Sequence, residues 1–161
     1  MSQIKNKKML NLILLFSVFA VITAYFIQYI LGHQPCNLCL IERIPYIFAI
    51  IIISVCLISN KFEKITLIIL ILTFFAATLI SFYHFGIEQE FIMESLVCDL
   101  NNPNNELTKE DLLNQLKEMP VSCKDVTFKI FGLSLATFNV FISLILSAII
   151  MKIFLGYEKN K

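Results

Sequence analysis

Two cysteines with two residues between them, Cys36 and Cys39, lie in the run Pro35-Cys36-Asn37-Leu38-Cys39-Leu40-Ile41-Glu42-Arg43. At this spacing two sulfurs can close a small, easily reduced disulfide or ligate a metal. A cation four residues on can hold the second sulfur as thiolate, or hold an anionic group beside it. Arg43 is the only arginine in the chain, so its place next to the pair is singled out by residue type as well as by spacing. Three further cysteines accompany the pair: Cys98 and Cys123, far apart in one polar stretch, and Cys56 in the middle of an apolar run.

These sulfurs have different prospects. A bridge closing the roughly 25 residues between Cys98 and Cys123 would stabilise that stretch by about 3 kcal/mol on the chain-entropy account, so a structural role is open there. A bond between Cys36 and Cys39 closes almost no loop and stabilises little; reactivity is the better reason for it. Cys56 reads as packing, because a thiol in an apolar span stays protonated and inert. Zinc could draw on Cys36, Cys39, Cys98 and Cys123 with His33 or His84. Structural zinc sites pair two close ligand doublets, however, and Cys98 and Cys123 are not one. We expect no metal. His33, in the turn before the pair, reads as a solvated interface residue. His84 ends a later apolar run, in Ser81-Phe82-Tyr83-His84-Phe85-Gly86. There an imidazole could hydrogen-bond a carbonyl ligand or relay a proton, or simply reach lipid headgroups.

The elements that carry these residues are apolar enough to live in lipid. The chain is 58% hydrophobic and 16% charged, with a mean hydropathy of +0.79, well outside the soluble range. A net charge of +1 leaves no basic cluster to bind a phosphate backbone, so no nucleic-acid partner is expected. Four runs meet the roughly 20-residue requirement for a span: about 9–31, about 41–59, about 65–85 and about 133–155. The second run starts with Glu42 and Arg43 at the interface, and Pro45 suits its first turn. The first run is too long for a signal peptide and no small-residue cleavage site follows it, so it reads as a retained span. The 161 residues form a single domain: an all-α, four-transmembrane-helix bundle with outer loops at about 32–40 and 86–132.

Lysines set the orientation. Lys5, Lys7 and Lys8 precede the first run, Lys61 and Lys64 separate the second from the third, and Lys152, Lys159 and Lys161 close the chain. The long loop is acidic. The positive-inside rule therefore predicts cytoplasmic termini and four cysteines on the outer side, where disulfides persist. Within the long loop, Thr108 can cap a helix that Asp111 answers and Leu107 staples, with Leu112, Leu116 and Met119 on one face and Pro120 ending it. That amphipathic helix either lies on the membrane or bundle, or offers a docking face. Phe91-Ile92-Met93 reads as an interfacial anchor.

The pattern Pro35-Cys36-x-x-Cys39-x-x-Glu42-Arg43 after a first span, then Cys98, then Pro120-Val121-Ser122-Cys123 and Phe131-Gly132-Leu133-Ser134 leading into a fourth, resembles the disulfide bond formation protein B (DsbB) family. The resemblance covers nearly the whole chain. It implies a bacterial inner-membrane enzyme that reoxidises a soluble thioredoxin-fold, DsbA-like dithiol oxidase and hands the electrons to a membrane quinone, ubiquinone or menaquinone. Carried over residue by residue, it makes Cys36–Cys39 the quinone-coupled disulfide and Cys98–Cys123 the disulfide that accepts electrons from the partner. Arg43 becomes the cation beside the quinone, and His84 matches a quinone-proximal histidine by position. A relative of vitamin K epoxide reductase is the alternative enzyme, but such proteins place the Cys-x-x-Cys near the last span. A non-enzymatic membrane scaffold with structural disulfides or zinc is the third class.

Overall fold

The computed structural model describes residues 2–59, 62–92, 123–124, 129–130 and 133–159. Five helices carry them: α1 (Ser2–Tyr29), α2 (Asn37–Ile41), α3 (Ile44–Ser59), α4 (Glu63–Glu88) and α5 (Leu135–Lys159). Two short strands, β1 (Lys129–Ile130) and β2 (Leu133–Ser134), pair antiparallel with Lys129 opposite Ser134. Four stretches are long and apolar enough to cross a membrane: Lys7–Tyr29, Asn37–Ser59 (α2 with α3), Glu63–Glu88 and Leu135–Glu158. Lipid offers backbone groups no partner, so apolar runs of this length close their hydrogen bonds internally as helices.

α1 packs along α3, α3 meets α4, and α4 runs along α5. One face of each helix builds the core: Leu10 and Ile13 from α1, Ala49, Ile53 and Cys56 from α3, Leu67, Leu70 and Phe74 from α4, and Leu146, Ile150 and Ile153 from α5. The opposite faces stay exposed, with Leu15, Phe19, Ile58, Leu72, Phe82 and Leu144 among them, as a lipid-facing surface requires. Lys64 of α4 pairs with Glu158 of α5 at one end of the bundle. The cysteine pair lies at the other end.

Three boundaries shape that second end. The second span does not run on from Ile41 as expected. Its helix starts at Asn37, breaks at Glu42–Arg43 and resumes at Ile44. Pro45 has no N–H to give to the Ile41 carbonyl, so the ladder lapses there. It restarts with Ile47 N–H on the Arg43 carbonyl at 3.1 Å. The break turns Glu42 inward: it is buried among the helices and not, as its sequence position suggests, at the interface.

α4 extends past the expected end to Glu88 and stops in a double cap. Phe91 N–H reaches the Gly86 carbonyl at 2.9 Å and Glu90 N–H reaches Ile87 at 3.0 Å. Glu90 takes the left-handed turn this cap needs, at φ 60°. Ile92 then folds back so closely that a Cβ on Gly86 would lie 2.6 Å from its Cδ1. α5 begins at Leu135, two residues later than expected, because Leu133 and Ser134 belong to β2 and Ser134 is the cap: its Oγ accepts Thr137 N–H at 3.2 Å. The amphipathic helix expected between Leu107 and Pro120 lies outside the described residues, as do Met93 and Cys98.

Candidate functional site

Cys36 follows Pro35 as the N-cap of α2, and its Sγ accepts the Cys39 N–H at 3.3 Å. One turn of helix is what brings two residues at this spacing together. Cys36 and Cys39 are free thiols with their sulfurs 2.7 Å apart, a small step from the roughly 2.05 Å of a disulfide. Cys36 is buried and Cys39 half-buried. His84 of α4 places Nε2 3.5 Å from the Cys36 sulfur. The Cys39 thiol bonded to it draws the Cys36 thiol down to about 5, against burial, which pushes it up; the His84 imidazole adds to the pull through its hydrogen bond and charge. These contacts favour the thiolate, the form that attacks disulfides.

Behind the histidine stands a polar network that crosses three helices. Glu42 Oε1 lies 3.0 Å from His84 Nδ1. Its other oxygen takes the Asn139 Nδ2 amide of α5 at 3.1 Å. Asn139 also donates to Ser81 Oγ at 2.8 Å and accepts the Tyr46 hydroxyl at 2.5 Å. A carboxylate only accepts, so this contact puts the Nδ1 proton between ring and carboxylate and leaves Nε2 for the sulfur. A second carboxylate, Glu88, lies one helical turn after His84 with Oε1 3.7 Å from Nε2, and Ser134 donates to its other oxygen. Ionisable groups buried inside a membrane bundle are costly, and they mark function when each is supplied with a partner, as here.

Arg43 leaves the same turn in the opposite direction. Its Nη1 donates to Gln28 Oε1 of α1 at 2.6 Å, and the guanidinium lies 5.1 Å from the centre of the Tyr25 ring. Between α1 and α5 opens a cavity of about 320 Å³. Phe16, Phe19 and Ala20 of α1 and Phe138 and Ile142 of α5 make its apolar wall; Cys36, Cys39, Arg43, His84 and Glu88 make its polar end. Phe19 at its edge is exposed on the lipid-facing side.

The structure thus brings Cys36, Cys39, Arg43 and His84 to one cavity. Cys123 joins them from the loop: it is disulfide-bonded, lines the cavity and shares a buried cluster with Cys36, Leu38 and Ile87. Cys98 lies outside the described residues. His84 is 1% exposed, far from reaching headgroups, while half-buried His33 lines the cavity rim. Ligand atoms of Cys36, Cys39 and His84 fall within 4.8 Å of one another, a grouping that could hold a metal; Cys123, in a disulfide, has no thiolate to complete a four-cysteine set. Sequence reasoning passed over Glu42 as a group with a task, and gave Gln28, Asn139, Glu88 and Ser134 no part in the site. The signals were there: Gln28 and Asn139 are amides inside apolar spans, and Glu88 sits four residues after His84 on the same helix face.

The family described as "Disulfide bond formation protein DsbB" matches residues 6–153. The chain is 32% identical over 157 residues to a protein of Rickettsia prowazekii (strain Madrid E) described as "Uncharacterized protein RP370", an alignment covering 95% of this chain and 90% of the relative. No solved structure matches the chain.

Proposed function

We propose, from the premise that the chain belongs to the disulfide bond formation protein B family of membrane disulfide oxidoreductases, that it reoxidises a soluble thioredoxin-fold dithiol oxidase and delivers the electrons to membrane quinone. The observation that carries this reading is the meeting of a free Cys36–Cys39 pair with the disulfide-bonded Cys123 at the polar end of an apolar cavity. In the proposed sequence a partner thiolate attacks Cys98 in the Cys98–Cys123 loop disulfide that the family pattern implies. Cys123 leaves and attacks Cys36, and Cys39 is released as a thiolate. Each exchange follows the attacking thiolate fraction, the leaving-group pKa and access.

The cavity suits a quinone. Its size falls in the range of small-molecule sites, with mostly apolar walls and few polar groups gathered at one end. Phe16, Phe19 and Phe138 would take an isoprenoid tail, while Arg43 and His84 would face the ring oxygens. When bound, the quinone supplies two-electron acceptance that no side chain here offers. Arg43, fixed by Gln28, is held to favour negative charge at the cavity's polar end.

The protein is a multi-pass membrane protein. The proposed site is the bacterial inner membrane with both termini cytoplasmic, since Lys7, Lys8, Lys64 and Lys152 belong to the helix ends remote from the cysteine pair. A reporter active only outside the cytoplasm should work when inserted near Asn104 and fail after Lys161; the reverse pattern would overturn the orientation.

The reading is tested by trapping. A mixed disulfide persists until another thiolate attacks it, so a partner variant that keeps only its attacking cysteine, supplied in reduced form, should open the loop disulfide and be recovered joined to this protein through Cys98, as a band that dithiothreitol dissolves. A partner mapped to Cys36 or Cys39 would refute the division of labour. The Cys36–Cys39–His84 grouping favours a metal-holding scaffold as second reading; it predicts bound metal in the purified protein and no trapped partner.

A further inference from the structure

Among the described residues, the cation at the cavity's polar end pairs with no carboxylate. Glu42 and Glu88, the two carboxylates that line the cavity, are both turned to His84. Arg43 is held instead by two neutral groups of α1: Gln28 Oε1 accepts its Nη1–H at 2.6 Å, and the guanidinium lies 5.1 Å from the centre of the Tyr25 ring. We infer that Gln28 is a positioning residue that fixes Arg43 without neutralising it, so that the cavity keeps a full positive charge for an anionic ring oxygen. The inference deepens the oxidoreductase reading and rests on it.

A cation inside a membrane bundle is costly, and it is ordinarily paired with an anion or faces one that arrives with a ligand. A carboxylate in the place of Gln28 would hold the guanidinium at least as well, but its charge would oppose that of Arg43 throughout the cavity. The amide gives the hydrogen bond without the opposing charge. The Tyr25 ring does the same from its own side, since an aromatic face attracts a cation yet carries no net charge. Tyr29 stacks on Tyr25 with ring centres 6.0 Å apart and steadies it. A guanidinium has five N–H donors, so the bond to Gln28 leaves the fork able to serve a ligand in the cavity that Arg43 lines.

A plainer role for Gln28 is to tie α1 to the turn before α3, with any acceptor of that shape serving equally. Two substitutions separate the roles, because they rank in opposite orders. Gln28→Glu keeps the shape and the acceptor, so the tie survives while the charge of Arg43 is cancelled. Gln28→Ala removes the tie and leaves the charge in place but free to swing.

The experiment reads binding, without turnover. Purified full-length protein in detergent at neutral pH is equilibrated by dialysis with a hydroxynaphthoquinone, whose hydroxyl on the quinone ring is ionised there, and separately with its uncharged methyl ether. The ratio of the two affinities isolates the charge, because ring and wall contacts are common to both compounds. Gln28→Glu should lower the anion-to-ether ratio by about tenfold, as expected when a charge-assisted bond loses its charge. Gln28→Ala should lower it less, by about threefold. Arg43→Ala should lower it at least as far as Gln28→Glu. Adding Gln28→Ala to Arg43→Ala should then change the ratio by less than about twofold, because Gln28 has nothing left to position.

A ratio that Gln28→Glu leaves at the wild-type value, or that falls further in Gln28→Ala than in Gln28→Glu, overturns the inference. So does a Gln28→Ala effect that is as large in the Arg43→Ala background as in the wild type. If Gln28→Glu does not fold, the Gln28→Ala comparison with and without Arg43 decides alone. Wild-type protein that binds neither compound would sink the proposed function and this inference with it. Wild-type protein that binds both, with the ratio kept in Gln28→Glu, would sink the inference and leave the proposed function standing.

Discussion

Cys36 and Cys56 are the same residue, both are free, and each is 6% exposed; their regions of the bundle differ in everything else. Cys56 packs among Ile53, Leu67, Leu70 and other core side chains of α3, α4 and α5, in the half of the bundle whose end carries the exposed Lys64–Glu158 pair. Cys36 sits where that core gives way to imidazole, carboxylate, amide and sulfur. Burial alone disfavours a thiolate, so equal burial cannot explain unequal chemistry. What separates the two thiols is partners within hydrogen-bonding reach. The bundle thus has an apolar half that holds it together and a polar end that the apolar half keeps in register.

The sharpest break of that comparison is a matched pair of truncations. Cys36→Ala should abolish dithiol-dependent quinone reduction, since it removes both the sulfur that Cys123 attacks and the bond whose cleavage frees Cys39. Any residual turnover above background would show that Cys36 is not in the route. Next in size is Arg43→Ala, which removes a charge-assisted donor worth about 2 kcal/mol, or roughly thirtyfold in the KM for quinone. Its disulfides should still form. Arg43→Lys keeps the charge but loses the planar fork that engages Gln28, and should raise KM only a few-fold. Steady-state kinetics at varied quinone concentration reads both, and unaltered KM in Arg43→Ala would remove Arg43 from the site. Smallest is Cys56→Ala, which should leave turnover unchanged while costing about 1 kcal/mol of stability for the lost packing. A dead Cys56→Ala variant that still folds would erase the distinction between the two regions.

The apolar half was legible because its signal is redundant. Length, hydropathy and the absence of charge agree over each long run, and no partner residue is needed to read them. The polar end was half legible. Cys36, Cys39 and Arg43 declare themselves by type and by proximity in sequence, and all line the cavity. Glu42 lies in the same short stretch, yet its direction depended on how Pro45 breaks the helix, which sequence reading placed only as a first-turn proline. Asn139 and Gln28 reach the site from α5 and α1, and such pairings form only when the helices pack. The late start of α5 was hidden for a similar reason: Leu133 reads as apolar span, but it pairs with Ile130 in a two-residue ladder, and Ser134 caps the helix after it.

The central claim is that this chain couples the oxidation of a soluble dithiol to the reduction of a membrane quinone. Purified protein in detergent, given a reduced thioredoxin-fold dithiol and a soluble quinone analogue, tests it in one cuvette by following the quinone's ultraviolet absorbance alongside free thiol. The account predicts one quinone reduced for each dithiol oxidised, with turnover lost in Cys36→Ala and retained in Cys56→Ala. A dithiol that stays reduced, or one that is oxidised while the quinone spectrum does not change, would contradict it.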